Sequence, residues 1–256
     1  MWELVTSARL AILGSAGSAP WANRNLPGVF VDGVLLDCGE GVARALVELG
    51  LLDLVDYVFL THLHGDHVSG LPMLLWLYAL RGRERKLTLV GPRGEVDRIW
   101  TLLEALRSPI DRVRRFLEVE EIDEGEEVGP VEAVHANHGV KALAYRVSTE
   151  NGDLCYSGDT APSESVRDLA RGCRILVHEA TYPPGREEEA ACVGHSTPLQ
   201  AAEVAEEAGV EVLVLIHLPY FYFNCEGFLS DFKSAAMSAF RGRVVILEKD
   251  PQVLYT

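Results

Sequence analysis

The chain has no cysteines in C-x-x-C spacing, no apolar run long enough to cross a bilayer, and little positive charge. Its five cysteines (Cys38, Cys155, Cys173, Cys192, Cys225) are odd in number and widely spaced. This excludes a thiolate zinc finger and argues against a disulfide framework, so reduced, partly buried thiols are expected. The best apolar window, GLPMLLWLYAL, is too short for a span and contains Pro72. ARLAILGSAGSA superficially resembles a signal peptide, but its flank carries Glu3 and no basic cluster, and its apolar stretch is only LAIL. A cytoplasmic protein with no membrane association is expected. Lys and Arg number 23 against 38 Asp and Glu, and the net charge of −15 argues against a generic nucleic-acid binder. There is no Pro/Ser-rich linker, short-period repeat or low-complexity tract. With 256 residues, 48% of them hydrophobic, one domain over residues 1–256 can bury a sizeable core.

The charge is uneven. Residues 81–115 hold ten Lys/Arg and five Asp/Glu, a local +5 that leaves −20 on the remainder. Such a stretch can face a polyanion or be a solvated helix face, and charge alone favours the second.

Short β-branched runs alternate with helix-length segments. ARLAIL, GVFVDGVLLD, DYVFLT, KLTLV, EAVHA, LAYRVS, DLCYSGD, RILVHE, EVLVLIH and RVVILE read as strands. EGVARALVELGL, SGLPMLLWLYAL, GEVDRIWTLLEALR, SESVRDLA, TPLQAAEVAEEA and LSDFKSAAMSAF read as helices. Thr197, Pro198 and Gln200 form a capping box with proline in the first turn. Glu150 to Asp153 (ENGD) reads as a tight hairpin. Hairpins mixed with strand–helix alternation fit a pure doubly wound sheet poorly.

Five strand runs end in His, Asp or Glu: YVFLTHLHGDH, EAVHANH, DLCYSGD, RILVHEA and VLVLIH. Strand C-termini in layered α/β folds open onto one rim, so these donors are expected to converge. In an extended segment, side chains two apart share a face, so His62 and His64 can grip one ion. Gly65 allows a sharp turn, and beyond it Asp66 and His67 can address a second ion. Imidazole and carboxylate together suit zinc, with manganese or iron as alternatives.

THLHGDH resembles the signature of the metallo-β-lactamase superfamily. The resemblance implies an α/β (α+β) fold, a four-layer αββα sandwich, with a dinuclear metal site on one edge. It further implies a bridging Asp, matched by Asp159 in SGDT, and a last His, matched by His217 in LVLIHLPY. One further His has two candidates, His135 and His138. NHGVKALAYRV is similar to the ribonuclease Z pattern and favours His138, leaving His135 in a supporting or structural place. LAILGSAGSAPWANRNLPG, LLDCGEGVARAL, VHEATY and GHSTPLQAAEVAEEA also resemble ribonuclease Z, so the likeness covers nearly the whole chain. It implies that His62, His64, His138 and Asp159 hold one divalent ion, and Asp66, His67, Asp159 and His217 the other. It also makes Asp66 an orienting group and carries over Glu179 and His195 as a proton relay near the leaving group. His178 flanks Glu179, and alternation points it elsewhere.

The family's activity implies a metal-dependent phosphodiesterase, with precursor tRNA cut on its 3′ side as the leading substrate. The bacterial form carries an arm between its Tyr-Arg strand and its Ser-Gly-Asp-Thr motif. Here only VSTENGDLCY separates Tyr145-Arg146 from Ser157. The arm is missing from that place, so small or cyclic phosphodiesters compete as substrates. Arg81, Arg83, Arg85, Lys86 and Arg93 are the candidate replacement for its grip. A non-catalytic metal-binding scaffold is the alternative from another class. The family resemblance also suggests a homodimer, for which LPMLLWLYAL can supply the interface.

Overall fold

The central strands of this chain bury both faces, because each sheet packs between the other sheet and a layer of helices. In the computed structural model, which describes residues 10–222 and 227–254, Leu10–Gly14 (β1), Gly28–Val31 (β2), Val34–Leu36 (β3), Tyr57–Phe59 (β4), Leu87–Pro92 (β5) and Leu117–Ile122 (β6) belong to one sheet. Glu127–Val128 (β7), Val131–His135 (β8), Leu143–Val147 (β9), Leu154–Tyr156 (β10), Ile175–Glu179 (β11), Val212–Ile216 (β12) and Arg243–Ile246 (β13) form the second. Gln252–Leu254 (β14) returns to the first and pairs antiparallel with β1. The orders are β14-β1-β2-β3-β4-β5-β6 and β13-β12-β11-β10-β9-β8-β7.

Alternation sorts the side chains into layers. Leu10, Ile12, Val29, Val31, Val34, Leu36, Tyr145, Val177, Val214 and Ile216 fill the space between the sheets. Their neighbours Ala11, Phe30, Leu35 and Val58 face the helices Val42–Glu48 (α1), Leu71–Leu80 (α3) and Arg98–Ala105 (α4). Between α1 and α3 lies the single turn Gly65–Val68 (α2), and Ile110–Val113 (α5) follows α4. Leu176, Leu213 and Leu215 face Glu164–Ala170 (α6), Pro198–Ala208 (α8) and Phe228–Ala239 (α9); Glu187–Cys192 (α7) lies between α6 and α8. The result is the expected four-layer αββα sandwich.

Strands β3, β4, β5 and β6 run parallel, as do β10, β11, β12 and β13. Their C-terminal ends therefore open onto one rim. Hydrogen bonds tie the sheets together there: Tyr145 Oη donates to the Leu60 carbonyl (2.6 Å), and Leu143 N–H to the Thr61 carbonyl (2.9 Å). The Thr197 capping box is formed as expected, with Pro198 in the first turn. The ENGD hairpin joins β9 to β10.

Several elements differ from the sequence pattern. GVFVDGVLLD is a hairpin, not one strand, because Asp32 (φ 44°) and Gly33 (φ 90°) turn the chain in the left-handed region. Strand β6 (LEVEEI) was hidden by its acids; it is the outer strand of its sheet, where charge is tolerated. Strands β7 and β14 and helices α2, α5 and α7 are too short for a periodic signal. Cys38, Cys155 and Cys173 are buried free thiols, but Cys192 is exposed. Cys225, and the Ala8-Arg9 start of the first expected strand, lie outside the described residues. Among the described residues no helix is long and apolar enough to cross a membrane.

Candidate metal centre

The motif THLHGDH leaves β4 at the open rim. Thr61 is anchored first: its N–H (2.8 Å) and hydroxyl donate to the Asp37 carboxylate. His62 is buried and His64 exposed, with His62 Nε2 3.0 Å from His64 Nδ1. The turn that follows is α2, and Gly65 is not required for it by conformation. Its φ is not positive, and a Cβ there would meet nothing within 4 Å. The helical turn itself brings Asp66 and His67 back towards the site.

The remaining donors arrive from the second sheet. His138 follows β8, Asp159 follows β10, and His217 follows β12. One ligand atom from each of His62, His64, His138 and Asp159 lies within 4.8 Å of the others, and the same holds for Asp66, His67, Asp159 and His217. Asp159 belongs to both groups. Gly158, at φ 55°, makes its approach possible, since a Cβ there would stand 2.8 Å from the Thr61 side chain.

Hydrogen bonds behind the rings assign their tautomers. A carbonyl or carboxylate oxygen can only accept, so the nitrogen facing it carries the proton. His67 Nδ1 donates to Asp37 (2.7 Å) and His138 Nδ1 to the Gly194 carbonyl (2.8 Å). The Thr61 hydroxyl spends its proton on Asp37 and therefore accepts from His62 Nδ1 (3.0 Å). The Thr181 hydroxyl donates to Glu179 (2.5 Å) and accepts from His217 Nδ1 (2.7 Å). All four imidazoles thus turn Nε2 inward. Supporting bonds of this kind orient metal-binding histidines.

Nothing of the protein satisfies those inner atoms fully. His67 Nε2 and Asp159 Oδ1 are buried without a hydrogen-bond partner, 3.3 Å apart. His217 Nε2 lies 3.4 Å from Asp159 Oδ1 and 3.1 Å from Asp66 Oδ2. Burial lowers the His67 pKa, but the charges of Asp159 and Asp37 reverse this and hold it well above the usual value. Burial, reinforced by His67, keeps His62 well below it. Burial raises the Asp159 carboxyl, yet His217 and His67 hold it well below the ordinary range. The centre favours cations at its core, and inward nitrogen lone pairs with carboxylate oxygens are a fitting donor set for two divalent metal ions.

Glu179 and His195 also meet. Glu179 is buried and accepts from His195 Nδ1 (2.8 Å), Thr160 N–H (2.8 Å) and Thr181 N–H (3.1 Å). Through Thr181 the same carboxylate supports His217. His135 points away, bonded to Asp123 (2.6 Å). His178 is buried and bonds the Glu179 carbonyl (2.8 Å).

The basic residues expected to contact substrate are not brought to this centre. Arg81, Arg83, Arg85 and Lys86 precede β5, so they sit at the rim opposite the strand ends that carry the histidines. Arg81 pairs with Asp53 (3.0 Å), Arg85 with Asp56 (3.0 Å) and Lys86 with Glu118. Arg83 donates to the Val55 and Lys86 carbonyls (2.7 and 3.0 Å). Helix and strand cannot present one rim from both of their ends, which a linear charge count does not see. Arg93 follows β5 on the near rim but is held bidentate by Glu126 (2.7 Å).

Sequence reasoning missed three contributors. Asp37 supports His67, Thr61 and the Tyr156 hydroxyl (2.8 Å); its position at the end of a buried run was the available signal. Thr181 follows the Glu179 motif and was not singled out. Asp250 had no local signal. Its carboxylate accepts from Ser15 N–H (2.9 Å) and Asn25 N–H (3.0 Å), pinning both ends of the glycine-rich loop. That loop donates Ser18 N–H to Asp66 (2.9 Å) and lays Gly17 on His217, where a Cβ would reach 2.3 Å from the ring.

The family described as Beta-lactamase superfamily domain matches residues 33–218. Ribonuclease Z of Haloarcula marismortui is 30% identical over 94% of each chain. Ribonuclease Z of Methanothermobacter thermautotrophicus is 32% identical over 85% of this chain and 88% of its own. The Haloarcula alignment runs over 296 positions against 256 residues here, so at least 40 of them have no counterpart in this chain. Among solved structures, the metallo-beta-lactamase fold protein YhfI from Bacillus subtilis superposes with a TM-score of 0.81, 22% identity and coverage of 97% and 99%. Human tRNase Z, short form, gives 0.75, 24%, 96% and 98%.

Asp37→Asn removes the carboxylate behind His67 while preserving size. Metal affinity, measured by chelator competition, is expected to fall about 10–100-fold, the range for loss of a partner behind a ligand. Unchanged affinity in a folded variant contradicts the supporting role.

Proposed function

The chain belongs to the ribonuclease Z family of the beta-lactamase superfamily, and from that premise we propose that it is a dinuclear metal-dependent phosphodiesterase that cuts precursor tRNA on its 3′ side. The observation that carries the reading is the pair of donor groups sharing Asp159, with the Glu179–His195 pair beside them.

In this reading His62, His64, His138 and Asp159 hold one ion, and Asp66, His67, Asp159 and His217 the other. Zinc is the proposed metal, with manganese the alternative, on the strength of the imidazole-rich donor set. When bound, the ions supply Lewis-acid charge to the phosphoryl group and acidify water. Asp66 is fixed by Ser18 N–H and orients the attacking water. His195 delivers the proton that the leaving oxygen requires. Burial lowers its pKa, but the Glu179 charge and hydrogen bond raise it to about 9. At neutral pH the ring is therefore an imidazolium, and Glu179 stabilises it as the orienting carboxylate behind a catalytic histidine.

A second reading, hydrolysis of small or cyclic phosphodiesters, is favoured by the short β9–β10 hairpin, which carries no arm at that place. A non-catalytic scaffold is disfavoured by the complete donor set. The chain acts as one unit over 1–256, supported by β14 pairing with β1, and a cytoplasmic setting agrees with the free thiols. A homodimer through α3 is supported by Met73 and Leu80, which are 56% and 66% exposed on an apolar helix whose other residues are buried or half-buried.

Three outcomes are expected. Incubation with a 3′-extended tRNA and end mapping should place a single cut after the mature 3′ region, with rates that fall steeply as salt rises; cleavage only of small esters, insensitive to salt, selects the second reading. His195→Ala should lower turnover about 10²–10⁴-fold with metal retained; full turnover in the metal-loaded variant contradicts its role as proton donor. Leu80→Glu should shift the sedimentation coefficient from dimer to monomer; no shift sinks the α3 interface.

A further inference from the structure

A cavity of about 570 Å³ opens beside His195, lined by Ser18, Thr181, Tyr182, Arg186, Phe221 and Tyr222 among others. It adjoins the metal centre through three of its lining residues. Thr181 supports His217, Ser18 N–H is bonded to Asp66, and His195 stands in the wall between them. Its size falls within the range of small-molecule sites and accommodates one nucleoside.

The chemistry of the lining selects the occupant. Aromatic rings dominate: Tyr182 lies nearly parallel to the His195 ring (29°, centroids 6.3 Å apart), and Phe221 packs on Tyr222 at 4.4 Å. Tyr222 is 75% exposed, an apolar face open at the mouth of the cavity. Both lining cations are already paired: His195 Nδ1 donates to Glu179 (2.8 Å), and Glu189, which also lines the cavity, clasps Arg186 in a bidentate pair. A neutralised arginine in a chain of net charge −15 is a poor phosphate trap. Aromatic faces beside a rim that offers both donors and acceptors match a flat ring with a hydrogen-bonding edge. Nucleobases are held in this way by stacking.

We propose that this cavity is a nucleobase subsite, and that it takes the base of the nucleoside whose ribose oxygen leaves the scissile phosphate. The side follows from position, since the cavity shares His195 with the centre and His195 is the donor to the leaving oxygen. The inference rests on the phosphodiesterase reading and adds the group that is recognised beside the cut. Tyr182 and Tyr222 are the stacking residues.

The test compares two 3′-extended tRNAs that differ only at the nucleotide donating the leaving oxygen, one with its base and one abasic there. For the metal-loaded wild-type chain, kcat/KM is expected to fall about 5- to 150-fold on the abasic substrate, the span of one base-stacking contact. In Tyr182→Leu/Tyr222→Ala the ratio should collapse towards one; because it is taken within one enzyme, general damage to the fold cancels. Equal cleavage of both substrates by the wild type overturns the subsite, as does a base effect confined to the nucleotide on the other side of the cut. An undiminished ratio in the double variant overturns the assignment of the two tyrosines. If the wild type cuts neither substrate nor a chromogenic phosphodiester, the phosphodiesterase reading falls and takes the subsite with it.

Discussion

A buried carboxylate with one oxygen unsatisfied, ringed by inward imidazole nitrogens, is the constraint on which the remainder of this molecule depends. Asp159 Oδ1 lies 3.3 Å from His67 Nε2 and 3.4 Å from His217 Nε2, with no hydrogen bond to relieve it. Such a cluster is costly unless cations enter it, because buried polar groups left unpaired lose their solvation without compensation. It persists because rigid elements deliver each member. Strand ends from both sheets converge on the rim, and hydrogen bonds across the sheets lock that convergence.

Two carboxylates organise the surroundings. Asp37 fixes His67 and Thr61 from the first sheet, and Glu179 fixes His195 and, through Thr181, His217 from the second. Each therefore couples a ring to the strand end that carries it. The backbone is held in an unusual state at the same places: Asp37 (φ 57°) and His217 (φ 54°) occupy the left-handed region. Non-glycine residues there store about 1–3 kcal/mol each and persist only where the surroundings over-determine them. Here the carboxylate network and the pinned glycine-rich loop supply that determination. Asp250 acts from 235 residues away, tying the C-terminal turn to a loop that touches both Asp66 and His217.

The substrate-facing side has a different character from the one suggested by charge. The basic segment before β5 is neutralised locally by Asp53, Asp56 and Glu118, on the rim away from the centre. What lies beside the centre is an aromatic cavity. The proposed base subsite would add stacking next to the cut to whatever phosphate contacts the substrate makes elsewhere.

The sequence alone showed donor residues at the ends of several apolar runs and made their convergence on one rim expected; the full donor set, with His138 preferred to His135, came from the family resemblance, and the fold brings those residues together. The sequence also determined the layered class, since buried strands and amphipathic helices leave periodic signals. It did not reveal β6, whose glutamates mask an edge strand, or the hairpin at Asp32-Gly33, where a turn dipeptide lay inside what looked like one run. Only the tertiary structure decided which rim the arginines occupy, that Asp37 and Thr181 stand behind the histidines, and that Asp250 reaches back to the first loop. Those are relations between residues far apart in the chain. They arise from strand direction and sheet order, and no local pattern of residues encodes either.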